Sequence, residues 1–308
     1  MASNSGWPVS VGLRATLSCR QSPHPDKRTE GNEQRIDSSR WMKPGASTGF
    51  SSIFLEAEVV NRVKHVGLEH RVPFLHAAAS EKLRAEIDSL IDRQIDHWYE
   101  TVPYAAHLEG KTVNSEYYRR HLIETAWRIR LLRVSESKAL AEIAKRSPEA
   151  AQVWANYERE EMLHDELFIQ DLARAGVSRE QFLATEPYLS TKLLTGFFSY
   201  LLDHEGPLGV VAYSYLVEYV NVKLEPKKLQ ALKDSVGEAN IAGQVSHSHT
   251  DINDDHPGEV WQAIRHLIRS DDDIQNLKRY LAEHQAVLAM YFKELHDDKI
   301  LNQQLKAA

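Results

Sequence analysis

From about residue 52 onward, apolar residues recur with the spacing of an amphipathic α-helix, and this periodicity limits the possible fold most strongly. Strand-like alternation is almost absent, and glycines, prolines and capping residues separate the periodic segments. The sequence therefore predicts one all-α bundle of seven or eight helices. The predicted helices span residues 53–66, 79–101, 114–145, 148–175, 189–204, 207–223, 226–256 and 271–298.

The first fifty residues have a different composition from the rest of the chain. They are rich in Ser, Gly, Pro and Arg and show no helical period. Such a segment does not bury enough apolar surface to fold alone. We therefore expect a disordered N-terminal arm over residues 1–50 and one helical domain over residues 51–308.

Composition excludes several classes of protein. The net charge of −7 argues against a protein that coats nucleic acid. Cys19 is the single cysteine, so an internal disulfide and a thiolate metal cluster are both excluded. No apolar run reaches the length of a membrane span. We expect a cytoplasmic protein without a nucleic-acid or membrane partner.

The segment HSHTDINDDH, residues 247–256, holds three histidines and three aspartates. On a continuous helix, His256 and Asn253 lie within about 40° of His249, on the side of Val245 and Ile252. We therefore expect His249, Asn253 and His256 to face the interior. The residues expected on the opposite, solvated face are His247, Asp251 and Asp254.

Other segments also direct carboxylates toward apolar stripes. Glu161 lies on such a stripe, with Glu158 and His164 at its edges, and Glu161 and His164 have the Glu-x-x-His spacing of di-iron carboxylate bundles. Glu124 and Glu218 also lie among apolar neighbours. Each residue alone has an ordinary structural explanation, but together these acids and imidazoles have few cationic partners. A pair of metal ions would neutralise all of them.

This pattern resembles the heme-oxygenase-like di-iron oxidases, which are seven-helix proteins related in fold to heme oxygenase and to TenA and PqqC. The resemblance spans roughly residues 80–270. It implies a metal-binding role for Glu124, for Glu158 or Glu161, and for His164, Glu218, His249, Asn253 and His256. Where the family has an aspartate, this chain has Asn253, so Asp254 and Asp251 are alternative ligands.

The resemblance also implies a chemistry. Two iron ions would be the cofactor and dioxygen the cosubstrate, and a mixed Mn/Fe pair fits the same ligands. The expected reaction is oxidation of a free amino acid or a fatty acid by desaturation, N-oxygenation, C–C cleavage or oxidative cyclisation, in specialised metabolism. The polar side chains of Ser214 and Asn221 beside Glu218 favour the amino acid. An external reductant and a homodimer stay open.

Three residues are candidates for substrate binding. Arg128, one helical turn from Glu124, can hold a substrate carboxylate or form a salt bridge with that same glutamate. Trp127 and Tyr215 can line an apolar pocket or fill the core.

Two other functions compete with the oxidase. On the same fold, a metal-free enzyme of the TenA or PqqC type would use the same side chains as acid, base and substrate contacts. A non-catalytic interaction protein would need a large exposed apolar stripe, whereas the outer helix faces look charged.

Overall fold

The computed structural model describes residues 73–102 and 112–302, which all fall within one compact unit. Over these residues every regular element is helical, so the all-α prediction is confirmed. The predicted arm and the predicted helix 53–66 lie outside the described residues. The α-helices are α1 (Ala77–Thr101), α2 (Ser115–Arg146), α3 (Pro148–Glu161), α4 (His164–Arg174), α5 (Arg179–Ala184), α6 (Leu189–His204), α7 (Pro207–Val236), α8 (Ala242–Asn253), α9 (His256–Leu267) and α10 (Asp271–His296).

Side-chain caps set several helix starts. Asn114 accepts hydrogen bonds from the backbone N–H groups of the first turn of α2. Ser147 and Ser270 do the same for α3 and α10, as their positions in the sequence predict. Pro148 then occupies the first turn of α3, where a missing N–H costs nothing.

Helix α7 lies at the centre of the molecule. It packs against α2, α6, α8, α9 and α10, and residues 207–216 are buried on every side. Helix α2 packs against α3, α4, α6 and α7. The side chains that point inward from these helices therefore meet in one interior region.

The predicted helix 148–175 is divided into two. Leu163 leaves the helical region, with φ −121° and ψ 14°, so Glu161 ends α3 and His164 begins α4. The Glu-x-x-His pair thus spans a helix break and brings two helix ends together.

The prediction of a helix break at Pro226 is wrong. Helix α7 continues through Pro226 to Val236. Proline removes one backbone hydrogen bond and costs roughly 3 kcal/mol inside a helix. Burial of Leu224, Ala231 and Leu232 on both sides of the proline outweighs this cost.

The predicted helix 226–256 is also wrong in its second half. After α7 the chain turns at Gly237, which has φ +88°, and α8 then ends at Asn253. Asp255 has φ +51°, and its side chain caps a new helix that begins at His256, with Pro257 in the first turn. The HPG segment therefore starts a helix.

Candidate metal centre

Among the groups of potential metal ligands in the described residues, two share one half-buried carboxylate. Glu161, His164 and His247 form the first group, and Glu161, Glu218 and His256 form the second. In each group the ligand atoms lie within 4.8 Å of one another. The two groups therefore define adjacent positions that share Glu161.

Short distances connect the members of these groups. His164 Nδ1 lies 2.6 Å from Glu161 Oε2, and the rings of His164 and His247 have centroids 4.6 Å apart. His256 Nδ1 lies 3.2 Å from Glu161 Oε1 and 3.7 Å from Glu218 Oε2. The side chains come from the break between α3 and α4, from α7, and from both sides of the break between α8 and α9.

Two other side chains orient Glu218 and His256. The Tyr157 hydroxyl donates a 2.8 Å hydrogen bond to Glu218 Oε1, and its ring packs edge-on against His256. His256 Nε2 lies 3.1 Å from Glu160 Oε2, so this nitrogen donates outward. Its Nδ1 is thereby left directed toward Glu161 and Glu218. This is the arrangement by which carboxylates orient metal-binding histidines.

Two more carboxylates face the same region. Burial, and then the charge of Glu161, raise the pKa of Glu158 to about 8. Burial, followed by the charges of Glu158, Glu161 and Glu218, raises the pKa of Glu136 well above its usual range. Neither Glu136 nor Glu158 forms an ion pair with a lysine or arginine within the described part of the chain. The region therefore concentrates acidic groups in the interior, and burial favours the neutral forms of Glu136 and Glu158.

Glu161 behaves differently from its neighbours. Burial tends to raise the pKa of its carboxyl group, but the adjacent imidazoles of His164 and His256 lower it overall. Glu161 therefore stays ionised more readily than Glu136 or Glu158.

A cavity of about 160 Å³ lies beside the cluster. Helices α1, α2, α3, α4, α7, α8 and α10 contribute its walls. One part carries Glu136, Glu158, Glu161 and Glu218, and most of the rest is apolar, including Ile129, Leu132, Leu288 and Phe292. The ligand cluster thus borders a space that can hold a small molecule.

The structure confirms that Glu218 and His256 are buried, and it brings Glu161, His164, Glu218 and His256 close together. Glu158 and Glu161, which the sequence left as alternatives, both line the cavity.

Glu124 lies outside the cluster, and the structure corrects its expected position. Although fully buried, it forms an ion pair with Arg120 and accepts hydrogen bonds from the Tyr188 backbone N–H and the Thr191 hydroxyl, the latter at 2.5 Å. These partners satisfy its charge locally. Glu136, twelve residues later on α2, faces the cavity instead.

The prediction that His249 and Asn253 face the interior is wrong. Both side chains are exposed, whereas His247 is buried against His164 and Phe168. The projection assumed one helix through His256, but the chain turns at Asp254 and Asp255, so His256 belongs to the next helix. Asp254 is exposed, as expected.

Two of the three predicted substrate contacts have other partners. Trp127 packs on Phe182 and donates a hydrogen bond to the Thr185 carbonyl. Tyr215 is fully buried and donates to Asp88. Neither lines the cavity, whereas Arg128 does.

Sequence reasoning missed Glu136 and placed His247 on the wrong face. A signal for Glu136 was present, because Leu132, Ala139 and Ile143 lie four residues before, three after and seven after it, and all three are buried. For His247 the buried face of α8 consists of Gly243, Gln244, His247 and Ser248. Such a polar and small face carries no apolar period to detect.

The fold is similar to that of several solved structures. A domain of unknown function with a heme oxygenase-like fold from Shewanella denitrificans OS217 aligns with a TM-score of 0.59 and 18% identity, over 72% of this chain and 94% of its own. A TenA homologue from Pseudomonas syringae pv. tomato DC3000 aligns with a TM-score of 0.55 and 13% identity, over 73% and 97%. A TenA homologue from P. horikoshii OT3 aligns with a TM-score of 0.53 and 15% identity, over 73% of this chain and 98% of its own.

At these identities the likeness establishes the fold, so the predicted heme-oxygenase-like fold is confirmed. Scans against protein-family models and curated proteins find no match. None of the described helices combines the length and apolar content needed to cross a membrane.

Proposed function

On this heme-oxygenase-like helical fold, we propose that the chain is a non-heme oxidase that binds two iron ions and uses dioxygen to oxidise a small organic molecule. The observation that carries the proposal is the half-buried carboxylate of Glu161, which two groups of potential ligands share. A carboxylate has two oxygens and can give one to each of two ions.

The donor chemistry of the cluster fits such ions. Carboxylate oxygens and imidazole nitrogens suit iron and manganese, so a mixed Mn/Fe pair fits the same residues. Glu158 Oε1 is buried and has no hydrogen-bond partner among the described residues. Burying an uncompensated charge costs several kcal/mol, and bound cations would offset that cost.

In the proposed centre, Glu161, His164 and His247 hold one ion, and Glu161, Glu218 and His256 hold the other. Two such ions supply the binding and reduction of dioxygen once they are present. Glu158 and Glu136 are the additional carboxylates that face the same space.

The surrounding residues orient the ligands and exclude water. Tyr157 fixes one oxygen of Glu218, and Glu160 fixes the outer nitrogen of His256, so the remaining donor atoms point inward. The apolar cavity wall keeps bulk water away from the cluster, which strengthens every electrostatic contact inside it.

The cavity supports an amino acid as the substrate. A volume of about 160 Å³ suits a small molecule better than a long alkyl chain. Ser214 lines it, is 1% exposed, and its hydroxyl has no hydrogen-bond partner within the described chain. This hydroxyl can accept a hydrogen bond from a substrate ammonium group. A shorter fatty acid is the alternative substrate.

Iron content and dioxygen uptake test the proposal. The protein is loaded anaerobically with Fe(II), freed of excess metal and assayed for iron, then exposed to dioxygen with single amino acids in turn. We expect about two irons per chain and uptake that one amino acid stimulates. The product mass then separates desaturation, N-oxygenation, C–C cleavage and cyclisation. A protein that retains no iron under these conditions would refute the proposal.

One observation favours a second candidate, a metal-free enzyme of the TenA or PqqC type. A carboxyl group with a pKa of about 8, such as that of Glu158, can exchange protons with a substrate near neutral pH. This function predicts turnover that persists with a chelator and is lost in Glu158→Gln. Turnover that requires iron would exclude it.

A further inference from the structure

We propose that Arg128 binds the carboxylate of an organic acid substrate and so fixes which end of the substrate faces the carboxylate and histidine cluster. This inference rests on the proposed function, since it takes the cavity to be the substrate site. It concerns a different part of the cavity from the metal ligands.

Arg128 lines the cavity with a charge that no carboxylate neutralises in the described residues. Its Nη2 donates a 2.9 Å hydrogen bond to the Thr125 hydroxyl, and its guanidinium lies 4.3 Å from the ring centre of Tyr291. Its Nη1 is buried and has no hydrogen-bond partner among the residues that the structure describes. One edge of the guanidinium is therefore held by the protein, and a nitrogen is left to bind something else.

The nearest potential partner of Arg128 on its own helix is already taken. Glu124, one turn away, forms its ion pair with Arg120. Arg133, the other arginine in the cavity wall, forms an ion pair with the buried Asp165. Arg128 thus differs from Arg133 in facing the cavity without a protein counter-charge.

An organic carboxylate is the ligand that best matches this group. A guanidinium presents paired N–H donors that fit the two oxygens of a carboxylate. Contact with Tyr291 limits the rotation of the side chain, so less conformational entropy is lost on binding. The Tyr291 ring and the Thr125 hydroxyl compensate the positive charge of Arg128 only partly. A bound anion therefore gains a favourable electrostatic interaction with the guanidinium.

The position of Arg128 along α2 sets the orientation of the ligand. Arg128 and Glu136 both line the cavity and lie eight residues apart on one helix, which is a rise of about 12 Å. Ile129 and Leu132, which lie between them in the sequence, line the same cavity with apolar side chains. A ligand anchored at Arg128 therefore places an apolar middle section along these residues. The part of the ligand nearest the cluster is several bonds away from the carboxylate.

Binding to the metal-free, full-length protein tests the proposal without using its activity. The probes are L-leucine, L-phenylalanine, L-lysine and hexanoate, each compared by calorimetry with its own carboxamide. We expect at least one acid to bind at least tenfold more tightly than its amide. We expect Arg128→Gln to weaken the binding of that acid by roughly ten- to a hundredfold, because a charge-assisted hydrogen bond is lost.

Two further variants complete the design. Arg128→Lys keeps the charge without the paired donors, so the acid should bind with intermediate affinity. Arg130→Gln is the matched control, since Arg130 lies on the same helix but pairs with Asp165 and does not line the cavity. It should bind the acid within about twofold of the unmodified chain. If Arg128→Gln does not fold, as judged by circular dichroism, Arg128→Lys with the acid and amide decides the result.

Several results would overturn the proposal. These are the absence of binding by every acid, equal binding of acid and amide, unchanged affinity in the Arg128 variants, and inorganic phosphate binding as tightly as the acid. Iron content measured in parallel separates this inference from the two-iron function. A chain that binds the acid through Arg128 but holds no iron refutes only the oxidase, and the reverse result refutes only the carboxylate site.

Discussion

At the scale of single residues, Glu161 differs from the other acids of the interior because it is common to the two ligand groups of the proposed centre. His164 and His256 approach different oxygens of its carboxylate. The ordinary structural explanation of a buried glutamate is a local salt bridge to an arginine. This explanation applies to Glu124 but not to Glu161. In the proposed centre, this one side chain is the ligand that both ions share.

Replacing Glu161 by Gln tests this role directly. The amide keeps the shape of the side chain but is a neutral and poorer ligand, so we expect iron content to fall from about two per chain to near zero. Glu160→Gln should lower iron affinity by roughly ten- to a hundredfold, since Glu160 lies outside the two proposed ion positions and orients His256. Glu149→Gln on the same helix is the control. Full iron content in Glu161→Gln would show that the shared carboxylate is unnecessary.

His284 gives a prediction about stability and pH. Burial, partly offset by a hydrogen bond to the Gly209 carbonyl, lowers the pKa of this histidine to about 4. In the unfolded chain its pKa is near 6.5, so between these values the unfolded state binds the extra proton. The stability that neutral His284 contributes is complete above about pH 6.5 and is lost progressively as the pH falls toward 4.

Thermal unfolding of His284→Gln at several pH values measures this effect. The difference in Tm between the unmodified chain and the variant should shrink, or change sign, as the pH falls from 7 to 4. An amide that does not titrate carries no such dependence. A constant difference over this range would mean that His284 does not contribute to the acid sensitivity of the fold.

At the scale of helices, the breaks between α3 and α4 and between α8 and α9 bring the ligands together. The first break places Glu161 and His164 at separate helix ends, and the second places His256 at the start of α9, while His247 lies in the middle of α8. Close packing of α8 on α4 then brings His247 to His164. Asp171 on α4 strengthens this contact by accepting the first N–H groups of α8, from Gly243 and Gln244.

Gly243→Ala tests whether this packing positions His247. A Cβ atom at Gly243 would lie 2.1 Å from the backbone oxygen of Leu167, so α8 must move away from α4. We expect a loss of roughly 1–3 kcal/mol in the free energy of unfolding and weaker iron binding. Gly196→Ala, with nothing within 4 Å on α6, should instead stabilise the fold by up to about 1 kcal/mol. Normal iron affinity in Gly243→Ala would show that the packing of α8 on α4 does not determine iron binding.

At the scale of the whole molecule, the proposed metal centre would couple metal binding to the stability of the bundle. The proposed ligands come from helices that are far apart in the sequence, so ions would link the middle of the chain to α7, α8 and α9. Without ions, the buried acids must take up protons or remain as repelling charges, which matches the raised pKa values of Glu136 and Glu158.

Iron should therefore raise the Tm, and a chelator should lower it. Free metal at a hundred times its Kd stabilises the folded chain by about 2.7 kcal/mol. Scanning calorimetry with and without chelator measures the difference, and Glu161→Gln should show almost none of it. Identical Tm values in the unmodified chain with and without iron would contradict the coupling.

Local patterns in the sequence were sufficient for most of the fold. The helical period, the caps at Asn114, Ser147 and Ser270, and the Gly206–Pro207 boundary all act within a turn or two, so they can be read without knowledge of distant contacts. The inward direction of Glu218 follows from apolar neighbours on its own helix. Pro226 did not follow the local rule, because packing on both sides outweighed the lost hydrogen bond.

Only the tertiary structure decided which acids and histidines meet. Glu124 and Glu136 both point inward from α2. Glu124 forms an ion pair with Arg120 and a hydrogen bond with Thr191, whereas Glu136 lines the cavity. His247 replaces His249 because α8 ends at Asn253 and rests its polar face on α4. Periodicity determines the direction of a side chain relative to its own helix, whereas convergence on one point depends on how helices rotate and break against each other.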